Sequence, residues 1–314
     1  MTYRPLRLIL PALTAAAALS SCVIPVPMPV PLPEPDRPRP PEVGNPFVSD
    51  RFTVTVKGTG RDVILIPGLS SSPNVWESTI KAVPGYRYHL VHVNGFGGKA
   101  PGGNASGPFL EPVAHDIARY IEAYQLKAPV LVGHSLGGTL AMRVAGHHPD
   151  LVGKLMVVDM LPFMGQMFGG PAATPESVKP VAEQIRIGIT SATGDAQRKT
   201  AEQTIAGMVK TPSMRSAAVA DTLASDPAVS GQAMYDLITT DLRPELARYK
   251  GPMEVLWVYP PNAPVPEPLY KQFFVQSYKT APQAVVKKVP DAWHFLMWDN
   301  PAMWQAELKA FLEK

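Results

Sequence analysis

The stretch Pro129-Val130-Leu131-Val132-Gly133-His134-Ser135-Leu136-Gly137-Gly138-Thr139-Leu140-Ala141-Met142 decides the fold. Pro129 to Val132 is a short apolar run that reads as a buried strand, and Ser135 to His147 has helical spacing. Between them, Gly133-His134-Ser135-Leu136-Gly137 matches G-x-S-x-G in the strand–turn–helix context that this motif requires. A sharp turn there leaves the Ser135 hydroxyl projecting from the end of a sheet. Glycines at 133 and 137 remove side chains that would collide across the turn. The helix that follows aims its positive end at the reacting centre. Ser135 is the candidate nucleophile. His134 reads as a packing or hydrogen-bonding residue of the turn, and His147 and His148 as caps for helix carbonyls.

Outward from this turn, short apolar strands alternate with helices. Strands are expected at Arg51–Lys57, Asp62–Ile66, Tyr88–Val93, Leu155–Asp159, Glu254–Val258 and Ala284–Val289, and helices at Ala114–Tyr124 and Trp304–Glu313. Such alternation implies a mostly parallel sheet covered on both faces. Between Met160 and Pro252 the strand pattern stops. Helices are expected there at roughly Pro175–Thr190, Ala196–Val209, Ser213–Ala224 and Gly231–Leu237. The start of that insertion is rich in Met and Phe. Met160, Phe163, Met164 and Met167 are candidate walls of a substrate pocket, because Met adapts its shape to varied apolar groups.

The 314 residues are 46% hydrophobic and 18% charged, which excludes a wholly disordered chain. No apolar run reaches the length of a spanning helix, which excludes a polytopic membrane protein. Without Arg4 and Arg7 the basic and acidic residues nearly balance. No basic stripe tracks a phosphate backbone, so no nucleic-acid partner is implied. The single cysteine, Cys22, excludes an intrachain disulfide and a Cys-based zinc site. Arg4 and Arg7, the apolar stretch Leu8–Leu19 and the small residues Ser20 and Ser21 read as a secretory leader over residues 1–21. Leu19-Ser20-Ser21-Cys22 resembles the lipobox of bacterial lipoproteins, which implies cleavage before Cys22 and lipid attachment to it. The expected location is the bacterial cell envelope, lipid-anchored in the membrane. Val23 in place of an Asp after the cysteine leans towards the outer membrane. Ten prolines fall between Pro25 and Pro46, so residues 22–46 read as a lipidated Cys followed by an extended polyproline tether.

From Phe47 onward the chain resembles the α/β-hydrolase-fold serine enzymes of the esterase and lipase kind. The resemblance rests on the turn at Ser135, on Ile66-Pro67-Gly68-Leu69, on Asn94-Gly95-Phe96-Gly97 and on Ala292-Trp293-His294-Phe295. It implies a mostly parallel central sheet flanked by helices, with core segments 47–159 and 253–314. A helical cap, residues 160–252, is expected between the sixth and seventh core strands. The implied activity is cleavage of carboxylic esters through an acyl-enzyme at Ser135, with no metal or organic cofactor. The backbone amides of Leu69 and Leu136 would hold the oxyanion and His294 would act as the base. The Met- and Phe-rich entrance points to apolar acyl or aryl groups. The same residues would serve an acyltransferase or a perhydrolase, because the fold does not set the substrate.

The acid of the triad is the weak point. Where the family keeps its Asp, this chain has Asn262, which orients an imidazole but does not stabilise an imidazolium by charge. Asp159, at the end of a strand, is the preferred acid, and Glu267 on the proline-rich stretch is the alternative. Asn262 also keeps a non-catalytic binding lipoprotein open as a rival reading.

Overall fold

The computed structural model describes residues 47–314 except Asn262 and Pro264. The expectations for the leader, for Cys22, for the tether and for Asn262 lie outside the described residues.

Asp-Val-Ile-Leu-Ile shows why the sheet forms. Side chains alternate along a strand, and here Ile64 and Ile66 enter one core cluster while Val63 and Leu65 enter the other. All four are fully buried, so the strand reads as a continuous apolar run because both of its faces are covered. Seven strands follow in chain order: β1 Phe52–Lys57, β2 Arg61–Ile66, β3 Tyr86–Val93, β4 Val130–His134, β5 Lys154–Val158, β6 Met253–Trp257 and β7 Ala284–Lys288. Their order across the sheet is β1-β3-β2-β4-β5-β6-β7. β1 pairs antiparallel with β3 and every other pairing is parallel.

The helices are α1 Glu77–Ala82, α2 Leu110–Ala123, α3 Leu136–His147, α4 Gln166–Gly169, α5 Pro175–Ser191, α6 Gly194–Met208, α7 Pro212–Ala224, α8 Pro227–Thr239, α9 Arg243–Leu246, α10 Glu267–Ser277, α11 Leu296–Asp299 and α12 Pro301–Glu313. Residues of α2 and α3 pack on the Ile64/Ile66 face, and Trp304, Leu308 and Phe311 of α12 cover the Val63/Leu65 face. Trp304 donates its Nε1–H to Thr79 Oγ1 at 2.8 Å, which ties α12 to α1.

Helices α4 to α9 separate β5 from β6. Five strands precede this insertion among the described residues, one fewer than expected. The sheet ends at β1, the first strand among the described residues, which pairs only with β3. α8 starts four residues earlier than its apolar spacing suggests. Asp226 caps it by accepting from the Ala228 and Val229 amides at 2.8 and 3.0 Å, and Pro227 sits at the first helical position. Glu267 is not on a loop but opens α10. Its flanking prolines fall before and within the first turn, where proline does no harm.

Candidate active site

Three strands of the parallel half of the sheet, β4, β5 and β7, are each followed by a polar group at their carboxyl ends. β4 ends at His134, and Ser135 then takes φ 53° and ψ −123° before α3 begins. A non-glycine residue in that region costs on the order of 1–3 kcal/mol and persists only where its surroundings over-determine it. Here they do. The Ser135 amide donates to Val158 O at 2.9 Å, and the Ser135 carbonyl accepts from Gly138 N at 2.8 Å and Thr139 N at 3.2 Å. The flanking glycines are needed for space. A Cβ at Gly133 would lie 2.1 Å from Gly137 O, and one at Gly137 would lie 2.1 Å from Ile66 O.

One strand over, Asp159 follows β5 with φ 50°. Its amide donates to Leu256 O at 2.7 Å, and its Oδ1 accepts from the Val258 amide at 3.2 Å, which keys it to β6. Its Oδ2 accepts from His294 Nδ1–H at 2.6 Å. His294 follows β7, in the turn before α11. The carboxylate sets the ring orientation and leaves the proton-free nitrogen, Nε2, as the one available for acid–base work. Among the described residues that Nε2 has no hydrogen-bond partner and Ser135 Oγ makes no bond to it. Ser135, Asp159 and His294 all line one cavity of about 710 Å³.

His134 is fully buried and donates from Nε2 to His294 O at 2.8 Å, so the turn at Ser135 holds the backbone of the His294 loop directly. Burial pushes the His134 imidazole well below its ordinary pKa, and the nearby His294 adds to that, so it is neutral. Its Nδ1 is left as a buried acceptor with no partner among the described residues. This matches its reading as a hydrogen-bonding residue of the turn.

Leu136 is the first residue of α3, so its N–H has no acceptor inside the helix. Leu69 lies in the turn after β2, where Ser71 N bonds Gly68 O at 3.3 Å, and it lines the cavity beside Ser135. Ser70 Oγ shares a 2.8 Å hydrogen bond with Ser230 Oγ of α8, tying this turn to the inserted helices.

Of the residues expected in the pocket wall, Met160, Met164 and Met167 line the cavity. Phe163 does not. It is fully buried in a satellite cluster with Val178, Ala182 and Ile238, under the Arg243 guanidinium 5.1 Å above its ring. Glu267 is also elsewhere. Its Oε1 accepts from Lys288 Nζ at 2.6 Å, and it is absent from the cavity lining, so it is a half-exposed ion-pair partner at the start of α10. His147 caps no carbonyl with its ring; its Nε2 lies 2.9 Å from Glu245 Oε2. Met208, Met234, Tyr270 and Phe274 line the cavity but were not singled out from sequence. Met208 and Met234 sit on helices whose apolar spacing fits ordinary packing equally well, and Tyr270 and Phe274 sit on the helix that prolines disguised.

A family model described as alpha/beta hydrolase fold matches residues 63–184. The pimeloyl-(acyl-carrier protein) methyl ester esterase of Vibrio atlanticus (strain LGP32) is 34% identical over 116 residues, covering 37% of this chain and 42% of that protein. The chain spans about half the length of the esterases of this name that it matches. The sn-1-specific diacylglycerol lipase ABHD11 of Mus musculus is 25% identical over 262 residues, covering 80% of each chain. Among solved structures, the esterase EaEST from Exiguobacterium antarcticum superposes with a TM-score of 0.69 at 18% identity, covering 84% of this chain and 96% of that one. The enol-lactonase from Burkholderia xenovorans LB400 gives a TM-score of 0.66 at 16% identity, with the same shares covered. Sheet order, the turn at Ser135 and these likenesses agree: the chain has the α/β-hydrolase fold.

Proposed function

We propose that this protein is a serine hydrolase that cleaves carboxylic esters. The observation that carries the reading is the 2.6 Å hydrogen bond from His294 Nδ1–H to Asp159 Oδ2 on the wall of the cavity that Ser135 also lines. In this reading Ser135 Oγ attacks the ester carbonyl carbon while His294 Nε2 takes its proton, a contact that commonly tightens only once substrate is bound. The amides of Leu69 and Leu136 donate hydrogen bonds to the carbonyl oxygen as negative charge develops on it. The tetrahedral adduct collapses to an acyl-enzyme, and His294 returns the proton to the departing alcohol. Water then attacks the acyl carbon with His294 again as base, and Ser135 is regenerated as the acid leaves. Asp159 stabilises the imidazolium in both halves, the part that Asn262 is unable to play. The names of the esterase and lipase relatives support the ester chemistry.

Labelling with a fluorophosphonate tests the reading. The wild-type chain is expected to bind the probe covalently and to hydrolyse short nitrophenyl esters, and Ser135→Ala to do neither. A wild-type chain that is inert in both assays removes it. The same acyl-enzyme supports transfer to an alcohol in place of water. Product analysis with competing alcohols separates the two outcomes, since a hydrolase gives free acid alone.

From the sequence of residues 1–46 we further propose a lipid anchor on Cys22 at the cell envelope. Metabolic labelling with a fatty-acid analogue is expected to mark the wild-type chain and not Cys22→Ala. Equal labelling of both removes the anchor.

A further inference from the structure

The inserted helices sort into two packed pairs. α5 runs against α8, and α6 against α7, while no comparable packing joins α5 to α6. The cavity over Ser135 extends between the pairs, with Ile185, Gly188 and Ile189 contributed by α5 and Ile205, Gly207 and Met208 by α6.

Two features of this passage ask for a cause. The first is glycine inside helices, where it is the worst residue after proline. A helical glycine is ordinarily explained by close approach of a neighbour or by a positive φ. Gly231 of α8 is such a case, since a Cβ there would lie 2.8 Å from Thr190 Cγ2 of α5. Gly188 and Gly207 are not. A Cβ on either would meet nothing within 4 Å, and neither has a positive φ. What the two glycines provide is open space, and both border the cavity.

The second feature is charge. Among the described residues no Lys or Arg lines the cavity, and Asp159 is its one carboxylate. Between the helix pairs the polar wall residues are neutral, among them Gln197, Thr200 and Thr204. An anionic group drawn into this passage would lose water and meet no cation in exchange, which is strongly unfavourable.

We propose that the passage between the α5/α8 and α6/α7 pairs is the specificity channel for an uncharged apolar chain of the ester, and that Gly188 and Gly207 set the bulk it admits. This rests on the ester-hydrolase reading and adds the substrate class: neutral esters carrying an extended apolar chain, not esters whose chain ends in a carboxylate or phosphate. The cavity volume of about 710 Å³ is ample for such a chain.

The test uses the full chain and two series of esters: nitrophenyl esters with acyl groups of two to twelve carbons, and acetate esters with alcohols of the same lengths. In at least one series wild-type kcat/KM is expected to rise with length. Gly188→Leu and Gly207→Leu are expected to lower the long-to-short ratio of kcat/KM in that series by roughly tenfold, since each new side chain takes the room of several methylenes. The two-carbon member stays within twofold of wild type. Leucine is the better helix former, so Tm is expected to hold or rise, which separates lost room from lost fold. A long-to-short ratio lowered less than threefold in both variants overturns the proposal. So does a carboxylate-ended ester that is hydrolysed as fast as its neutral methyl-ended counterpart. A wild-type chain that hydrolyses no ester, even the shortest, removes the underlying activity and is recognised separately by that result.

Discussion

Among the described residues two histidine–aspartate pairs are joined by a hydrogen bond, and their surroundings differ. In one, His294 Nδ1 meets Asp159 Oδ2 at 2.6 Å. In the other, His89 Nε2 meets Asp62 Oδ1 at 2.8 Å. The distances hardly differ; the rest of each environment does. The second nitrogen of His89 accepts from Tyr120 OH at 2.7 Å, and Asp62 is held by Arg87 through contacts of 2.5 and 2.9 Å. Burial pushes the Asp62 carboxyl up, but Arg87 and His89 outweigh it and hold it below its ordinary value. Burial pushes His89 down by more than Asp62 pulls it up. Both nitrogens of His89 and both oxygens of Asp62 are engaged, so the cluster ties β2 and β3 to α2 and leaves the imidazole no free nitrogen for chemistry. His294 keeps one nitrogen free on a cavity wall that it shares with a hydroxyl in a strained turn. A histidine–carboxylate contact alone therefore identifies nothing. In the reading proposed above, the free nitrogen, the open cavity and the neighbouring hydroxyl are what set His294 apart from His89.

The sharpest way to break this contrast is to exchange the histidines. His294→Ala is expected to lower kcat/KM on a short nitrophenyl ester by about 10⁴-fold or more, and Ser135→Ala by a similar factor. His89→Phe should leave kcat/KM within about threefold and lower Tm. Comparable activity losses at the two sites would erase the distinction.

The carboxylates give the next largest effect. Asp159→Asn is expected to reduce kcat by roughly 10³- to 10⁴-fold with little change in KM, because the imidazolium loses its counter-charge. Asp62→Asn should keep turnover and cost about 1–3 kcal/mol of stability in denaturant unfolding, since it weakens a network with Arg87 and His89. Full turnover in Asp159→Asn would require another acid.

Acidification separates the two kinds of histidine more gently. Burial lowers the pKa of His89, His92 and His134 below the ordinary value of 6.5. The unfolded chain then takes up protons first as pH drops through about 6.5, and stability is lost from there down to each folded-state pKa. Asp62 adds its own loss only at lower pH, below about 4, because its folded pKa is the depressed one. Tm from scanning calorimetry is expected to fall between pH 7 and pH 5, with a shallower slope in His89→Phe. A slope unchanged by that substitution would contradict the assignment. The smallest effect belongs to Glu267→Gln. A half-exposed pair with Lys288 contributes about 0–1 kcal/mol, so turnover should stay within twofold and Tm should move little.

Much of this arrangement was legible in the residue order, for physical reasons that differ by element. The turn at Ser135 was readable because its glycines, its strand and its helix are all local. Asp159 was readable as a strand-end acid, but its partnership with His294 spans 135 positions, and only sheet register brings the two together. Phe163 shows the limit of a rich apolar run. In Met160-Leu161-Pro162-Phe163-Met164 nothing local says which side chains face a cavity and which face a neighbouring helix. α10 was hidden because proline marks loops in most places and is harmless in a first turn. Gly188 and Gly207 carry meaning only once the space beside them is seen.

The site also steps across the sheet in a regular way. The Ser135 amide hangs on the last residue of β5, the Asp159 amide on the penultimate residue of β6, and the Val258 amide returns to Asp159. These amides directly follow three fully buried strands and bond to their neighbours, so hydrogen exchange at them should require the whole domain to open. Inactivation by urea is then expected to coincide with the cooperative transition and not to precede it, and a chain that still scatters and fluoresces as native should still carry a competent nucleophile.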